Sequence, residues 1–109
     1  MKIIEQYTYK VTWSPEDNEH VGLCVEFPSL SWLATTAEAA LQGIKKTVTA
    51  VVKDMKAHGE EIPEPLSMKD YSGKLVVRIT PECHKKLAMK AAEAQVSLNR
   101  LISDKLANA

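Results

Sequence analysis

The chain has 109 residues, of which 45% are hydrophobic and 26% charged, and its formal net charge is zero. This length holds one ordinary domain or two very small ones, and the apolar fraction excludes a disordered chain. No apolar run approaches the roughly 20 residues that cross a bilayer, and MKIIEQYTYK lacks the apolar core of a signal peptide, so we expect a cytoplasmic protein with no membrane partner.

The balanced total charge hides two halves of opposite sign. Residues 1–70 carry 7 lysines and 11 acidic residues, a net charge of −4. Residues 71–109 carry 7 basic and 3 acidic residues, a net charge of +4. A basic segment suits a polyanion such as a nucleic acid, and an acidic segment suits a basic partner. Ordinary solvated surface remains the alternative explanation for both halves.

The N-terminal half shows the alternation of an antiparallel meander. Bulky residues alternate with smaller or polar ones over 7–13 and again over 21–27, which predicts two strands with one apolar face each. On the second strand the apolar set is Val21, Leu23, Val25 and Phe27. The polar segment SPEDNEH separates the strands, Pro28 ends the second, and 30–34 is predicted as a short third strand.

A helix is predicted after the strands. Thr35 to Glu38 fits a capping box with Thr35 as the N-cap, and Gly59 is a common stop signal. An apolar stripe at helical spacing, from Leu41 to Met55, is expected to cover the apolar face of the sheet. Residues 60–73 contain prolines and acidic residues and are typical of an extended segment. We therefore predict a domain over 1–65, a linker over 66–73 and a second domain over 74–109.

The second domain is predicted as one strand and two short helices. The strand is KLVVRIT, residues 74–80, and Pro81 opens a helix that runs to about Ala94. Ser97 can cap a second helix with an apolar side, made by Leu98, Leu101, Ile102 and Leu106. A unit of this size rarely folds alone, and a lone strand leaves its backbone groups unpaired.

A second copy of the chain is the simplest remedy for the lone strand. Two strands would pair as an antiparallel ribbon, and four helices would close over one of its faces. The alternation then places Leu75, Val77 and Ile79 in a shared dimer core. The outward positions are Lys74, Val76 and Arg78. Such a ribbon fits the major groove of DNA, where Arg and Lys read guanine edges.

The stretch GKLVVRITPECHKKLAMKAAEAQVSLNRLISDKL resembles the ribbon-helix-helix fold of the Arc, MetJ and CopG repressors. The resemblance implies that Lys74, Val76 and Arg78 face bases. It also implies that the second helix presents its N-terminal amides to a phosphate, from Val96, Ser97, Leu98 and Asn99. Val76 departs from the polar residue that such repressors often carry, and it could contact a thymine methyl group. A dimerisation strand with no role in DNA binding is the alternative.

The whole chain resembles the HicB antitoxin family. The segments that carry the resemblance appear in the expected order, and they are SPEDNEHVG, EFPSLS, EIPEP and YSGKLVVRI. The resemblance implies an α+β fold in which a reduced RNase H-like domain precedes the ribbon-helix-helix domain. It further implies three partners: a HicA-like RNA-cleaving toxin, double-stranded operator DNA, and a second copy of the chain. Whether dimers pair into tetramers is left open.

We predict no catalytic site, no metal site and no cofactor. An RNase H needs several carboxylates that converge on magnesium. Glu16, Asp17 and Glu19 crowd one turn, whereas Glu5 and Glu26 are predicted on separate strands. Cys24 and Cys83 lack partners at metal-ligand spacing and are predicted to be at least half-buried free thiols. Two alternatives stay open: a stand-alone repressor whose N-terminal half senses a ligand, and a residual nuclease.

Overall fold

The computed structural model describes residues 1–109 and shows an α+β protein made of two compact units, Met1–Tyr71 and Ser72–Ala109. The first unit holds two helices, three strands and a 3-10 turn, in the order α1 (Lys2–Gln6), β1 (Tyr9–Ser14), β2 (Glu19–Cys24), β3 (Ser31–Ala34), α2 (Ala37–Ala57) and the turn Leu66–Met68. The second unit holds α3 (Pro81–Ala94) and α4 (Leu98–Ala107). The sequence did not predict α1, which is only five residues long and buries Ile4.

The three strands form the predicted antiparallel meander in the order β1-β2-β3. Its register places Val11 opposite Gly22 and Gly22 opposite Trp32. The turn between β1 and β2 uses Asn18 at a positive φ of 52°, a conformation that asparagine adopts more readily than most residues.

The helix α2 covers the face of β2 opposite to the one that the sequence pattern predicted. Gly22 and Cys24 are buried and point toward α2, and a Cβ atom on Gly22 would stand 3.0 Å from Ile44 Cγ2. Val25, expected in the core, is 52% exposed. The prediction was wrong because α2 packs close to β2, and only small side chains on β2 leave room for that approach.

The core of the first unit forms between α2 and this face of the sheet. Ile44, Val48 and Val52 of α2 are fully buried, and they meet Cys24 and Phe27 in one cluster. The N-cap of α2 is Thr36, one residue later than predicted, and its side chain accepts a hydrogen bond from the Ala39 amide (3.1 Å). The helix ends at Ala57, close to the predicted stop at Gly59.

Residues predicted as the start of the linker are anchored to the first unit. The Leu66 amide donates to the Glu26 carboxylate (3.0 Å), and the Ser67 hydroxyl donates to the Gln6 carbonyl (2.6 Å). These bonds hold the 3-10 turn, so the compact unit continues to Tyr71 instead of ending near residue 65. Neither unit contains a helix that is both long and apolar enough to span a membrane.

Candidate nucleic-acid interface

Local capping signals define the two helices of the second unit, and both helices were predicted. Thr80 precedes α3, and its hydroxyl accepts from the Cys83 amide (3.2 Å), while Pro81 occupies the first turn. Gln95 ends α3 in the left-handed conformation (φ 57°), which allows the Val96 amide to donate back to the Ala91 carbonyl (3.1 Å). This tight reversal fixes where α4 begins.

Residues 74–80 do not form a strand within the single chain. No backbone-to-backbone hydrogen bond involves the amides of residues 74–79, and the Lys74 amide donates only to the Ser72 hydroxyl (3.1 Å). The predicted strand therefore differs from the structure for a physical reason. A strand exists only when a second strand accepts and donates its hydrogen bonds, and one chain supplies none here.

The apolar side chains of this segment are exposed in the single chain. Leu75 and Val77 line a groove of about 560 Å³, whose opposite wall is formed by Ile102 and Leu106 of α4. Val76, between them, is 95% exposed. Leu75 and Val77 themselves remain 75% and 65% exposed, so the groove is not filled within one chain. Asn99 and Ser103 of α4 also line it, which the sequence did not indicate.

The other predicted site residues are distributed as follows. Lys74 and Arg78 are exposed, as is Ile79 at 46%. Lys74, predicted to face outward, lines the groove beside Leu75, whereas Ile79, predicted in the dimer core, does not line it. At the start of α4, Ser97 accepts from the Arg100 amide through its hydroxyl (3.0 Å). The cap leaves the Leu98 and Asn99 amides free in the first turn, where helix geometry supplies no internal acceptor. Val96 and Leu98 are half-buried. The Val96 amide, predicted to face a phosphate, is not free, because it donates to the Ala91 carbonyl where the chain leaves α3.

Charge in the second unit is strongly biased toward cations. Seven basic residues face three acidic ones, and the only ion pair is Lys86 with Glu82 (3.8 Å), both largely exposed. Basic side chains that lack acidic partners are available to a polyanion. The exposed cations and the free first-turn amides are the two features through which a protein contacts nucleic-acid phosphates.

The carboxylates considered for magnesium binding in the first unit do not converge. Glu5 lies on α1 and not on a strand, and it pairs with Lys45 (3.1 Å). Glu26 lies in the turn after β2, so its predicted place on a strand was also wrong. Glu16 and Asp17 lie in the β1–β2 turn, and Glu19 is the first residue of β2. No group of three potential ligands, drawn from His, Cys, Asp and Glu, is arranged to hold a metal ion.

Glu26 has a structural role that the sequence did not reveal. Its carboxylate accepts from the Thr8 amide (2.8 Å), the Thr8 hydroxyl (3.1 Å) and the Leu66 amide (3.0 Å). Partial burial by itself would raise the pKa of Glu26, but the amides of Leu66 and Thr8 stabilise the charged form, so the net pKa lies below its ordinary value. Glu26 thus joins β1 to the 3-10 turn.

Two other features depart from the predictions. Both cysteines are free, but Cys83 is exposed although it was expected to be at least half-buried. Trp13, the last bulky residue of the alternation that predicted the first strand, is 49% exposed and packs edge-on against His20, with ring centroids 5.1 Å apart. Trp32 is equally exposed at 49% and lies against Gly43 of α2, where a Cβ atom would overlap the indole ring.

Comparison with known proteins returns one family. The family model described as the HicB family matches residues 57–106, from the last residue of α2 to the last turn of α4. The match includes the exposed segment 74–80, both helices of the second unit and the 3-10 turn. No curated protein matches the chain, and no solved structure matches it. Over these 50 of its 109 residues, the chain is similar to the HicB family.

Proposed function

We propose that the chain is an antitoxin that neutralises a HicA-like RNA-cleaving toxin and represses its own operon. In this proposal the second unit is a ribbon-helix-helix domain that binds operator DNA as a dimer or a higher oligomer. The first unit is an RNase H-like domain that binds the toxin and has no catalytic activity of its own. The HicB family match is consistent with an antitoxin role, and the features below support the finer assignments.

The exposed apolar segment 74–80 of the second unit is the observation that carries this proposal. Leu75, Val77 and Ile79 are each at least 46% exposed, and the backbone between them has no hydrogen-bond partner. A second copy would supply both the hydrogen-bond partners and the apolar cover that this segment lacks. Its own segment 74–80 could pair with this one as an antiparallel strand, so that the two strands lie over the grooves of both copies. Leu75, Val77 and Ile79 would then form the dimer core with Ile102 and Leu106.

In such a dimer the alternate side chains would face outward from the ribbon. Lys74, Val76 and Arg78 occupy those positions, and a two-stranded ribbon is narrow enough for the major groove. Arg78 would read a guanine through its paired donors, whereas Val76 would contact a thymine methyl group. The amides of Leu98 and Asn99, together with residues Val96 and Ser97 that position them, would hold a backbone phosphate.

The first unit is assigned to the toxin on the basis of charge. Residues 1–70 carry a net charge of −4, and an RNA-cleaving partner needs a basic surface to hold its polyanionic substrate. An acidic domain that covers this surface would exclude RNA. The proposal that the domain is not itself a nuclease is supported by Glu5 and Glu26, whose carboxylates are held by Lys45 and by backbone amides.

DNA binding is tested with a matched pair of variants, Arg78→Ala and Lys105→Ala. Both remove one exposed cation, but only Arg78 lies on the outward side of the ribbon. Arg78→Ala should weaken the binding free energy for the operator by about 1–3 kcal/mol, and so reduce the difference in binding free energy between operator and random DNA. Lys105→Ala should leave that difference unchanged. Fluorescence anisotropy on both DNAs measures the two free energies. Equal weakening of operator and random DNA by Arg78→Ala would refute base reading by this residue.

Toxin neutralisation is tested by co-purification of the chain with the product of any adjoining small basic reading frame. The proposal expects a stable complex and growth rescue when chain and toxin are co-expressed. A chain that binds its operator but neither binds nor neutralises such a protein would refute the antitoxin role.

A ligand-sensing repressor is the alternative that one further observation favours. A groove of about 440 Å³ lies between α1 and α2, and its lining includes three lysines and Glu5, which pairs with Lys45. The other two lysines, Lys46 and Lys53, form no ion pair and suit a small anionic ligand. Under this alternative, operator affinity would change with an anionic metabolite and would not require any protein partner, which anisotropy titrations in the absence of toxin would reveal.

A further inference from the structure

On β2, the face that points away from α2 is more apolar than the face that α2 covers. By the strand register, Val21 and Leu23 of β2 lie on this open face, with Leu33 of β3 beside Val21. Val25 continues the row, since its amide donates to the Thr8 carbonyl (2.9 Å) at the end of the sheet. Leu33 is 43% exposed and Val25 is 52% exposed. We call these four side chains the open-face patch.

An apolar row in this position is unusual for a small antiparallel sheet. Such sheets normally place apolar residues toward the core and polar residues toward water. Here the inward positions of β2 are Gly22 and Cys24, and the larger aliphatic side chains face outward. Val21 and Leu23 are half-buried, Val25 and Leu33 are exposed, and α2 packs on the other side of β2. A contiguous exposed apolar patch of this kind marks an interaction surface.

The border of the patch indicates the charge of what covers it. Glu19 is on the same face as Val21, and Glu16 and Asp17 lie in the adjoining turn. None of the three forms an ion pair, and Asp17 accepts only a hydrogen bond from the Ser14 hydroxyl (2.9 Å). Lys10, opposite Leu23 on β1, is the cation on this face, so the border stays net negative.

We propose that the open-face patch and its acidic border form the docking surface for a basic protein partner. The partner would insert an apolar side chain over Leu23 and Leu33 and place lysine or arginine side chains near Glu16 and Glu19. This inference rests on the proposed antitoxin function, in which the basic partner is the toxin, and it specifies which surface of the first unit is used. A second copy of the chain fits less well, because it offers the same negative border to itself.

Two variants of the full chain separate the apolar and the electrostatic contributions. Val25→Thr/Leu33→Thr keeps residues that suit a strand but removes apolar contact area. Glu16→Lys/Glu19→Lys reverses the net charge of the border while keeping the hydrogen bond between Asp17 and Ser14 in the turn. The matched control is Met68→Thr, which removes an equally exposed apolar side chain (55%) from the 3-10 turn. Binding is measured by surface plasmon resonance with the catalytically inactivated toxin from the adjoining reading frame, and sedimentation records self-association.

The apolar variant should raise the dissociation constant about tenfold or more, mainly through faster dissociation. The charge-reversal variant should slow association about tenfold and invert its salt dependence, because the border then repels a basic partner. Met68→Thr should bind like the parent chain.

If the parent binds the toxin and both variants bind equally well, the docking surface is refuted while the antitoxin role stands. If the parent itself does not bind, the antitoxin role fails first. A loss of self-association in the apolar variant with toxin affinity unchanged would assign the patch to a second copy and overturn the proposal.

Discussion

The two units differ in where their apolar side chains find partners. The first unit closes its own core, in which Ile44, Val48 and Val52 are fully buried. It also contains every aromatic residue of the chain. In the second unit, Ala91 is the only buried hydrophobic residue, while Val77 remains 65% exposed. Capped helices alone leave the second unit almost without a buried core, and hydrophobic burial, rather than local hydrogen bonding, supplies most of the driving force for folding.

The largest effect is expected from a charge placed on the apolar side of residues 74–80. Val77→Glu should bury an unpaired carboxylate in each copy of the proposed dimer, which costs several kcal/mol and abolishes both dimer and second-unit fold. Val76→Glu is the matched control, since residue 76 is 95% exposed, and it should dimerise normally. Sedimentation and helical circular dichroism distinguish the two. If Val76→Glu also dissociates the dimer, or if Val77→Glu leaves it intact, the assigned alternation is wrong.

The next largest effect should be confined to the first unit. Ile44→Ala leaves a cavity under α2 and should lower the free energy of unfolding by about 2–5 kcal/mol. Because both tryptophans, Trp13 and Trp32, lie in the first unit, urea unfolding followed by tryptophan fluorescence reports on this unit alone. Gln42→Ala, at an exposed site on the same helix, should change little. Coupled loss of operator binding with Ile44→Ala would show that the units do not behave independently.

A smaller effect is expected at Glu26, and it should depend on pH. Glu26→Gln weakens bonds from the Thr8 and Leu66 amides and should cost about 1–3 kcal/mol at neutral pH. Because the folded-state pKa lies below the ordinary value, the charged carboxylate stabilises the fold above pH about 4.5, and this contribution disappears as pH falls through the folded-state pKa. When unfolding is followed by tryptophan fluorescence between pH 3 and 7, the free energy of unfolding of the variant should therefore fall less with decreasing pH than that of the parent chain. Parallel curves would contradict the assigned role.

The smallest effect concerns the cap of α4. Ser97→Ala removes the acceptor for the Arg100 amide and should destabilise the second unit by about 1 kcal/mol. Ser97→Asp keeps an acceptor and should preserve stability, yet its negative charge would oppose a phosphate at the same helix end. Thermal unfolding and operator titration of the pair separate the two roles. Undiminished operator affinity in Ser97→Asp would place the phosphate elsewhere.

Locally encoded features could be predicted from the sequence. The Pro81 start of α3 and the Ser97 cap act within a few residues, and each was found where predicted. Strand alternation located β1 and β2 to within about three residues, but it gave the wrong covered face for β2 and a strand at 74–80 that one chain does not form. The α+β class and the antiparallel meander followed from them. The extent of α2 was correct to within one or two residues.

Features that depend on distant residues could not be predicted. The covered face of β2 depends on how closely α2 approaches Gly22, and alternation alone gives the same pattern for either face. Glu26 bonds an amide 40 positions away in Leu66, and no local pattern signals that contact. The end of the first unit at Tyr71 also depends on distant residues, because residues of α1 and of the β2–β3 turn hold the 3-10 turn.

The mass of the folded chain in solution shows directly whether two copies pair through residues 74–80. The chain has a mass of 12.1 kDa, and sedimentation equilibrium at micromolar concentration should give twice that value, or four times if dimers associate further. The same samples should show the full helical signal of α3 and α4 by circular dichroism. A monomer of 12.1 kDa with both helices folded would contradict the claim that the exposed segment 74–80 is completed by a second copy.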